Sequence, residues 1–162
     1  GLEPLISDSR SGLILDDLRE PQEAQETMEQ VLVVNPNNSD ALNYVAYGLA
    51  ERGVELDRAL KLSTHALQVR PRDGYYLDTL GWIYYRLGRY ADAVQVLADA
   101  VQIIDHDPIL LEHYGDALVK KGDTAAAIEA YRELLDRGTF SDSEERKTVK
   151  KRVEKKLEAL TR

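Results

Sequence analysis

Residues 74–88 read Gly74-Tyr75-Tyr76-Leu77-Asp78-Thr79-Leu80-Gly81-Trp82-Ile83-Tyr84-Tyr85-Arg86-Leu87-Gly88. Leu77, Leu80, Gly81 and Tyr84 recur at i, i+3, i+4 and i+7, which is one face of a helix. Gly81 on that face lets a neighbouring helix approach closely, at a cost of about 1 kcal/mol in helix propensity. Leu87-Gly88-Arg89 is a stop signal, because glycine takes the left-handed conformation that closes a helix. Beyond it, Tyr90 to Ile104 carries Ala93, Val94, Leu97, Ala100 and Val101 on a second stripe. The stretch predicts two amphipathic helices joined by a tight turn. Pro108 then suits the first turn of a third helix.

Outward from this pair the pattern recurs. Ala24, Ala59, Ala93 and Ala127 are spaced by 35, 34 and 34 residues, and Leu15, Leu49, Tyr84 and Leu118 by 34, 35 and 34. Gly53, Gly88 and Gly122 are spaced by 35 and 34, while Gly81–Gly115 and Ala66–Ala100 each add 34. Independent ladders sharing one period define a structural repeat. Residues 39–73 form one unit, with one extra residue in its inner turn Gly53-Val54-Glu55-Leu56-Asp57. Residues 74–107 and 108–141 form two more. Residues 1–38 form a degenerate N-terminal unit from Leu5 onward, in which Gly12, Leu15, Ala24 and Val31 keep register and Pro21 replaces the apolar residue of the inner turn. Asn35-Pro36-Asn37-Asn38 and Arg70-Pro71-Arg72-Asp73 are the turn-rich junctions.

These residues resemble the tetratricopeptide repeat family. Its signature, W-x2-L-G-x2-Y followed by A-x3-F and a junction proline, stands here as Leu77-x2-Leu80-Gly81-x2-Tyr84, then Ala93-x3-Leu97, with Pro36 and Pro71 at the junctions. Leu77 replaces the usual tryptophan, Leu97 the phenylalanine, Ala46 the glycine and Asp105 the third junction proline. The resemblance covers about residues 5–141. It implies an all-α, right-handed superhelical solenoid of antiparallel helix pairs. The wording from Ala41-Leu42-Asn43-Tyr44 through Leu77–Trp82 also resembles bacterial multi-repeat proteins, some of them envelope lipoproteins acting as adaptors. Cytoplasm and bacterial periplasm or envelope both stay open for its location.

Composition narrows the function classes. The 162 residues hold 21 basic and 29 acidic side chains, net charge −8, with 43% apolar residues and no cysteine. That apolar fraction can bury a core. The acidic balance is wrong for wrapping duplex phosphate, so no nucleic-acid partner is expected. No run approaches the roughly 18–20 apolar residues of a membrane-spanning helix, so no membrane insertion is expected. The start at Gly1, with Met28 the only methionine, suggests an excised or processed chain, and no signal-peptide pattern is expected in it.

The last segment breaks the repeat. Ser141 and Glu144 have capping-box spacing, and Val149, Val153, Leu157 and Leu160 make a narrow apolar stripe on an otherwise charged helix. Residues 142–162 are expected to form a C-terminal capping helix over the last repeat. They carry 8 basic and 5 acidic residues, against a net −11 for residues 1–141. Lys147, Lys150, Lys151, Arg152, Lys155 and Lys156 are read as a solvated outer face with pairs such as Lys150–Glu154. The other reading sends them to an anionic lipid or nucleic acid.

A search for chemistry returns little. His65, His106 and His113 have no metal-ligand spacing, and Asp105-His106-Asp107 lies in a turn where polar residues are expected. No nucleophile elbow, phosphate loop or dinucleotide motif occurs. No enzyme, metal or cofactor is therefore expected.

The aromatic residues are more informative: nine tyrosines and one tryptophan against one phenylalanine. Tyr84, Tyr90, Tyr114 and Tyr131 are read as packing. Tyr75, Asp78, Trp82, Tyr85 and Arg86 lie on the other face of their helix, at i, i+3, i+7, i+10 and i+11. In the family resembled, that face lines a concave peptide groove. Carried to the neighbouring units, it adds Asn43, Tyr47 and Glu51 on one side and Glu112, Asp116 and Lys120 on the other. Trp82 either faces the groove or packs on an adjacent repeat. The groove is expected to be aromatic and acidic and to take a peptide or partner segment with apolar and basic residues. Asp78 and Glu112 stand where the family's carboxylate-gripping subclass wants positive or amide groups, which argues against that mode. The function expected is a non-catalytic interaction scaffold or adaptor. The alternative is self-assembly into a homo-oligomer through the array ends or terminal helix.

Overall fold

The structure is a computed structural model, and it describes residues 21–162. Leu5, Gly12, Leu15 and the first helix of the N-terminal unit lie outside the described residues. Among the described residues there are eight helices and no strand: α1 (Pro21–Val34), α2 (Ser39–Arg52), α3 (Leu56–Val69), α4 (Gly74–Arg86), α5 (Tyr90–Ile103), α6 (Pro108–Lys121), α7 (Thr124–Arg137) and α8 (Ser143–Thr161). The fold is all-α, built from helix pairs of the solenoid type. The chain divides between Arg72 and Asp73 into two compact parts.

The sequence punctuation has direct structural causes. Gly53, Gly88 and Gly122 all take positive φ (66°, 78° and 95°), a conformation that costs an L-residue about 1–2 kcal/mol. At Gly88 the chain closes α4 with Arg89 N–H donating to the Tyr84 carbonyl at 2.9 Å, and Asp123 N–H does the same to Leu118 beyond Gly122. The single 35-residue step arises in the turn 53–55, where Glu55 absorbs the additional residue at φ 47°. Each junction ends on a cap. The Asn38 side chain accepts from Ala41 N–H, Asp73 from Tyr75 and Tyr76 N–H, and Asp107 from Ile109 and Leu110 N–H. Pro21 is the first residue of α1, as its repeat equivalent Leu56 is of α3.

In the N-terminal part, α2 packs against both α1 and α3. Ala24, Met28 and Val31 of α1 and Ala59, Ser63 and Ala66 of α3 are buried with it. Arg58 of α3 pairs with Glu29 of α1.

In the C-terminal part, small residues set the spacing. A Cβ on Gly81 would stand 2.5 Å from Leu97, and one on Gly115 would stand 2.4 Å from the Tyr131 ring. Both partners are fully buried. Expecting Leu77, Leu80 and Tyr84 to carry the buried stripe of α4 requires correction. They are half-buried, and Gly74, Tyr76, Asp78, Thr79, Gly81 and Ile83 are the buried positions. The reason is that α4 contacts both α5 and α6, so burial spreads over more than one stripe.

Helix α8 closes this part by packing on α7, with Val149 and Val153 joining the core of Leu118, Tyr131 and Leu134. Its cap lies one residue later than the expected Ser141. The Asp142 side chain accepts from Glu145 N–H at 2.8 Å, and the Glu145 carboxylate accepts from Ser141 N–H and Oγ at 2.7 and 2.6 Å.

Candidate functional site

Helices α4 and α6 run side by side, and the 34-residue period places Asp78 and Glu112 at equivalent turns. The aromatic cluster sits between them. Trp82 is stacked between Tyr85, at 4.6 Å and 7°, and His113, at 4.2 Å and 17°. His113 Nδ1 is 2.8 Å from the Asp78 carboxylate, and both residues are buried. Tyr90 meets Tyr85 edge-on at 5.6 Å. Trp82 is thus half-buried against the adjacent repeat, with its indole N–H buried and unpartnered. The neighbouring Tyr85 is half-buried too, while Tyr75 is 56% exposed and Arg86 is exposed.

The expected acidic patch is in place but occupied. Arg152 of α8 donates through Nε and a terminal nitrogen to Glu112 at 2.7 and 2.5 Å. Lys156 Nζ donates to Glu112 at 2.8 Å and to both Asp116 oxygens at 2.9 and 3.0 Å. The Tyr131 hydroxyl donates to Asp116 at 2.5 Å. Reading α8's cations as a solvated outer face is corrected for these two, because the buried Glu112 and half-buried Asp116 carboxylates on α6 need partners and α8 supplies them. The pairs within α8 are Lys147–Glu144 and Arg162–Glu158, not Lys150–Glu154.

Titration follows the same contacts. Burial pushes the Glu112 carboxyl up, but the hydrogen bonds from Arg152 and Lys156 prevail and hold it below its ordinary value. Burial pulls Lys156 down, and its bonds to Glu112 and Asp116 more than reverse that. Burial, then the Asp116 charge, raises Tyr85, while burial and the bond to Asp116 raise Tyr131.

A cavity of about 290 Å³ opens beside this bridge, lined by Tyr85, Asp116, Val119, Lys120, Tyr131, Lys156, Ala159 and Leu160. Of the residues expected on the groove, Tyr85, Asp116 and Lys120 meet there, Trp82 stacks on Tyr85, Asp78 holds the His113 on the other face of that indole, and Glu112 is bonded by α8. Asn43 and Tyr47, half-buried, and the exposed Glu51 belong to α2 in the N-terminal part. The Asn43 amide oxygen is buried without a partner. His113, Arg152 and Lys156 were missed as site residues. A signal existed for His113, which lies 35 residues from Asp78 and so one position past its repeat equivalent.

Among the described residues no group of three or more His, Asp or Glu side chains could hold a metal, and no helix is long and apolar enough to cross a membrane. Asp107 is used in capping α6.

The tetratricopeptide repeat family model matches residues 55–108 and 79–144. The chain belongs to the tetratricopeptide repeat family. Over 87 residues this TPR chain is 38% identical to the TPR repeat-containing protein PA4667 of Pseudomonas aeruginosa, taking in 53% of the chain and 14% of that protein. Over 90 residues it is 30% identical to the cytochrome c-type biogenesis protein CycH of Rhizobium meliloti, taking in 56% of the chain and 24% of that protein. The chain therefore spans a minor share of the curated relatives it matches. Its fold is similar to that of TTC0263, a thermophilic TPR protein of Thermus thermophilus, with TM-score 0.77, 20% identity and coverage of 97% of this chain and 83% of that one. It is also similar to PcrH in complex with the chaperone binding region of PopD, with TM-score 0.67, 19% identity and coverage of 78% and 93%. TPR proteins are generally non-catalytic, and membership supports a protein–protein interaction scaffold.

Proposed function

We propose that this TPR chain is a non-catalytic scaffold that holds a peptide or partner segment against the groove face of its first-of-pair helices. The observation that carries this reading is the Trp82–Tyr85 stack, half-exposed and next to a 290 Å³ cavity. Rigid aromatic anchors of this kind dominate binding energy at protein interfaces. Lys120 lines the cavity and Tyr75 and Arg86 are exposed on α4, while Asn43, Tyr47 and Glu51 hold the corresponding repeat positions on α2 of the separate N-terminal part. The complex of PcrH with a region of PopD is a precedent for a fold of this type holding a segment of another protein.

The partner offers apolar side chains to the stack and cavity. A preference for basic residues does not rest on Glu112 and Asp116 while Arg152 and Lys156 occupy them. The test is quantitative capture from the source organism's extract with wild type and Trp82→Ala/Tyr85→Ala, after circular dichroism shows the variant helical. A partner held by wild type and lost by the folded variant supports the groove. Equal retention moves binding elsewhere, and a concentration-dependent size without any partner supports self-assembly instead.

A further inference from the structure

The contact between α8 and α6 has a form that a foreign helix can reproduce. On α8, Arg152 and Lys156 stand one turn apart within an aliphatic stripe of Val149, Val153, Leu157 and Leu160. On α6, Glu112 and Asp116 stand one turn apart opposite them, and the four side chains join in one hydrogen-bonded bridge. The apolar seam under this bridge is thin. Of α8's 19 residues only Val149 and Val153 are buried, whereas the 14-residue α7 buries Ala127, Ala130, Tyr131 and Leu134. The fit is also incomplete, because a 290 Å³ cavity remains where α8 presents Lys156, Ala159 and Leu160.

We infer that this face of α6 is a receptor surface for an amphipathic helix bearing two cations one turn apart on an aliphatic stripe, with α8 as its tethered occupant. Charge complementarity selects the partner: the buried Glu112 and half-buried Asp116 carboxylates need cationic donors, and an aliphatic side chain longer than alanine fills the cavity. Tethering gives α8 an effective concentration of roughly millimolar order, so a free helix of the same sequence competes poorly with it. A partner helix that fills the cavity, or a change that weakens the ion bridge, shifts the balance. This rests on the proposed groove reading, with which it shares the cavity, but the ion bridge itself includes neither Trp82 nor Tyr85.

The test uses the full chain and a fluorescein-labelled synthetic peptide of residues 143–162. In an Arg152→Glu/Lys156→Glu chain, hydrogen exchange at residues 149–160 accelerates at least tenfold while circular dichroism shows the other helices retained. Fluorescence anisotropy then shows the peptide binding this chain at least tenfold more tightly than wild type. Binding falls back when Glu112→Gln/Asp116→Asn is added, and tightens when the peptide carries Ala159→Leu. Unchanged exchange overturns the inference, since the bridge would then not hold α8. So does accelerated exchange without peptide binding, or peptide binding equal in the two chains.

Discussion

The Trp82 indole lies flat against the His113 imidazole, ring centroids 4.2 Å apart, and the same imidazole reaches the Asp78 carboxylate at 2.8 Å. One histidine on α6 thereby positions two α4 residues, one aromatic and one acidic. Replacing His113 by alanine removes one of the two rings stacked on Trp82 and strands a buried carboxylate. The expected loss is about 2–4 kcal/mol in urea unfolding. Trp82 is the only tryptophan, so its emission should shift to the red in the folded variant. Unchanged emission and stability would show that the stack contributes nothing.

Gly115→Ala places a methyl group 2.4 Å from the ring of the fully buried Tyr131. Overpacking costs about 1–3 kcal/mol and outweighs the gain of about 1 kcal/mol in helix propensity. Adding Tyr131→Leu should recover part of the loss, with a coupling energy of about 1 kcal/mol or more in a double-mutant cycle. Strict additivity would mean that the two positions do not share space.

The α8 bridge should weaken at both ends of the pH range. Glu112 titrates below 4.5 when folded, so its contribution is complete above about pH 4.5 and lost as pH falls through the folded value. Lys156 titrates above 10.5 when folded, so its contribution is complete below about pH 10.5 and lost as pH rises through the folded value. Glu112→Gln should flatten the acid limb of α8 hydrogen exchange and cost about 1–2 kcal/mol, because half-exposed Arg152 can turn to water. Lys156→Met should cost more, about 2–4 kcal/mol, because it leaves Asp116 without its cation. The reverse order of cost would show that Glu112 is the keystone.

Glu55 holds φ 47° and makes no side-chain cap to α3. Glycine relieves the left-handed penalty but adds entropy to the unfolded chain, so Glu55→Gly should stabilise by only about 0.3–1 kcal/mol. Thermal denaturation measures this as a rise of a few degrees. A fall would show that the Glu55 side chain supports the turn.

The helix pairs were legible because their signals are local and repeated. Gly53, Gly88 and Gly122 end helices by backbone conformation, and Gly81 and Gly115 mark close approaches, so each was visible in its own turn. The first-helix register was legible too, which is how Asp78, Trp82, Glu112 and Asp116 fell on one pair of helices. What the register could not show was their pairing. Arg152 reaches Glu112 across 40 residues from a tail outside the repeat, and charge alone does not distinguish that partner from Glu154 close by on α8. Burial of Asp78 was hidden for a related reason: its partner His113 is a singular residue of its repeat, not a periodic one.

The pairing of side-chain volumes across each turn has a consequence for how such a chain can be rebuilt. Gly81 accommodates Leu97, Gly115 accommodates Tyr131, and at the same register the buried pair is Ala46 and Ser63. Each hairpin of helices therefore carries its own matched set of volumes, unlike that of its neighbours. Whole hairpins can be transplanted, duplicated or deleted as modules. A single helix exchanged between repeats, bringing Tyr131's ring against Ala46 for example, would meet the wrong lock.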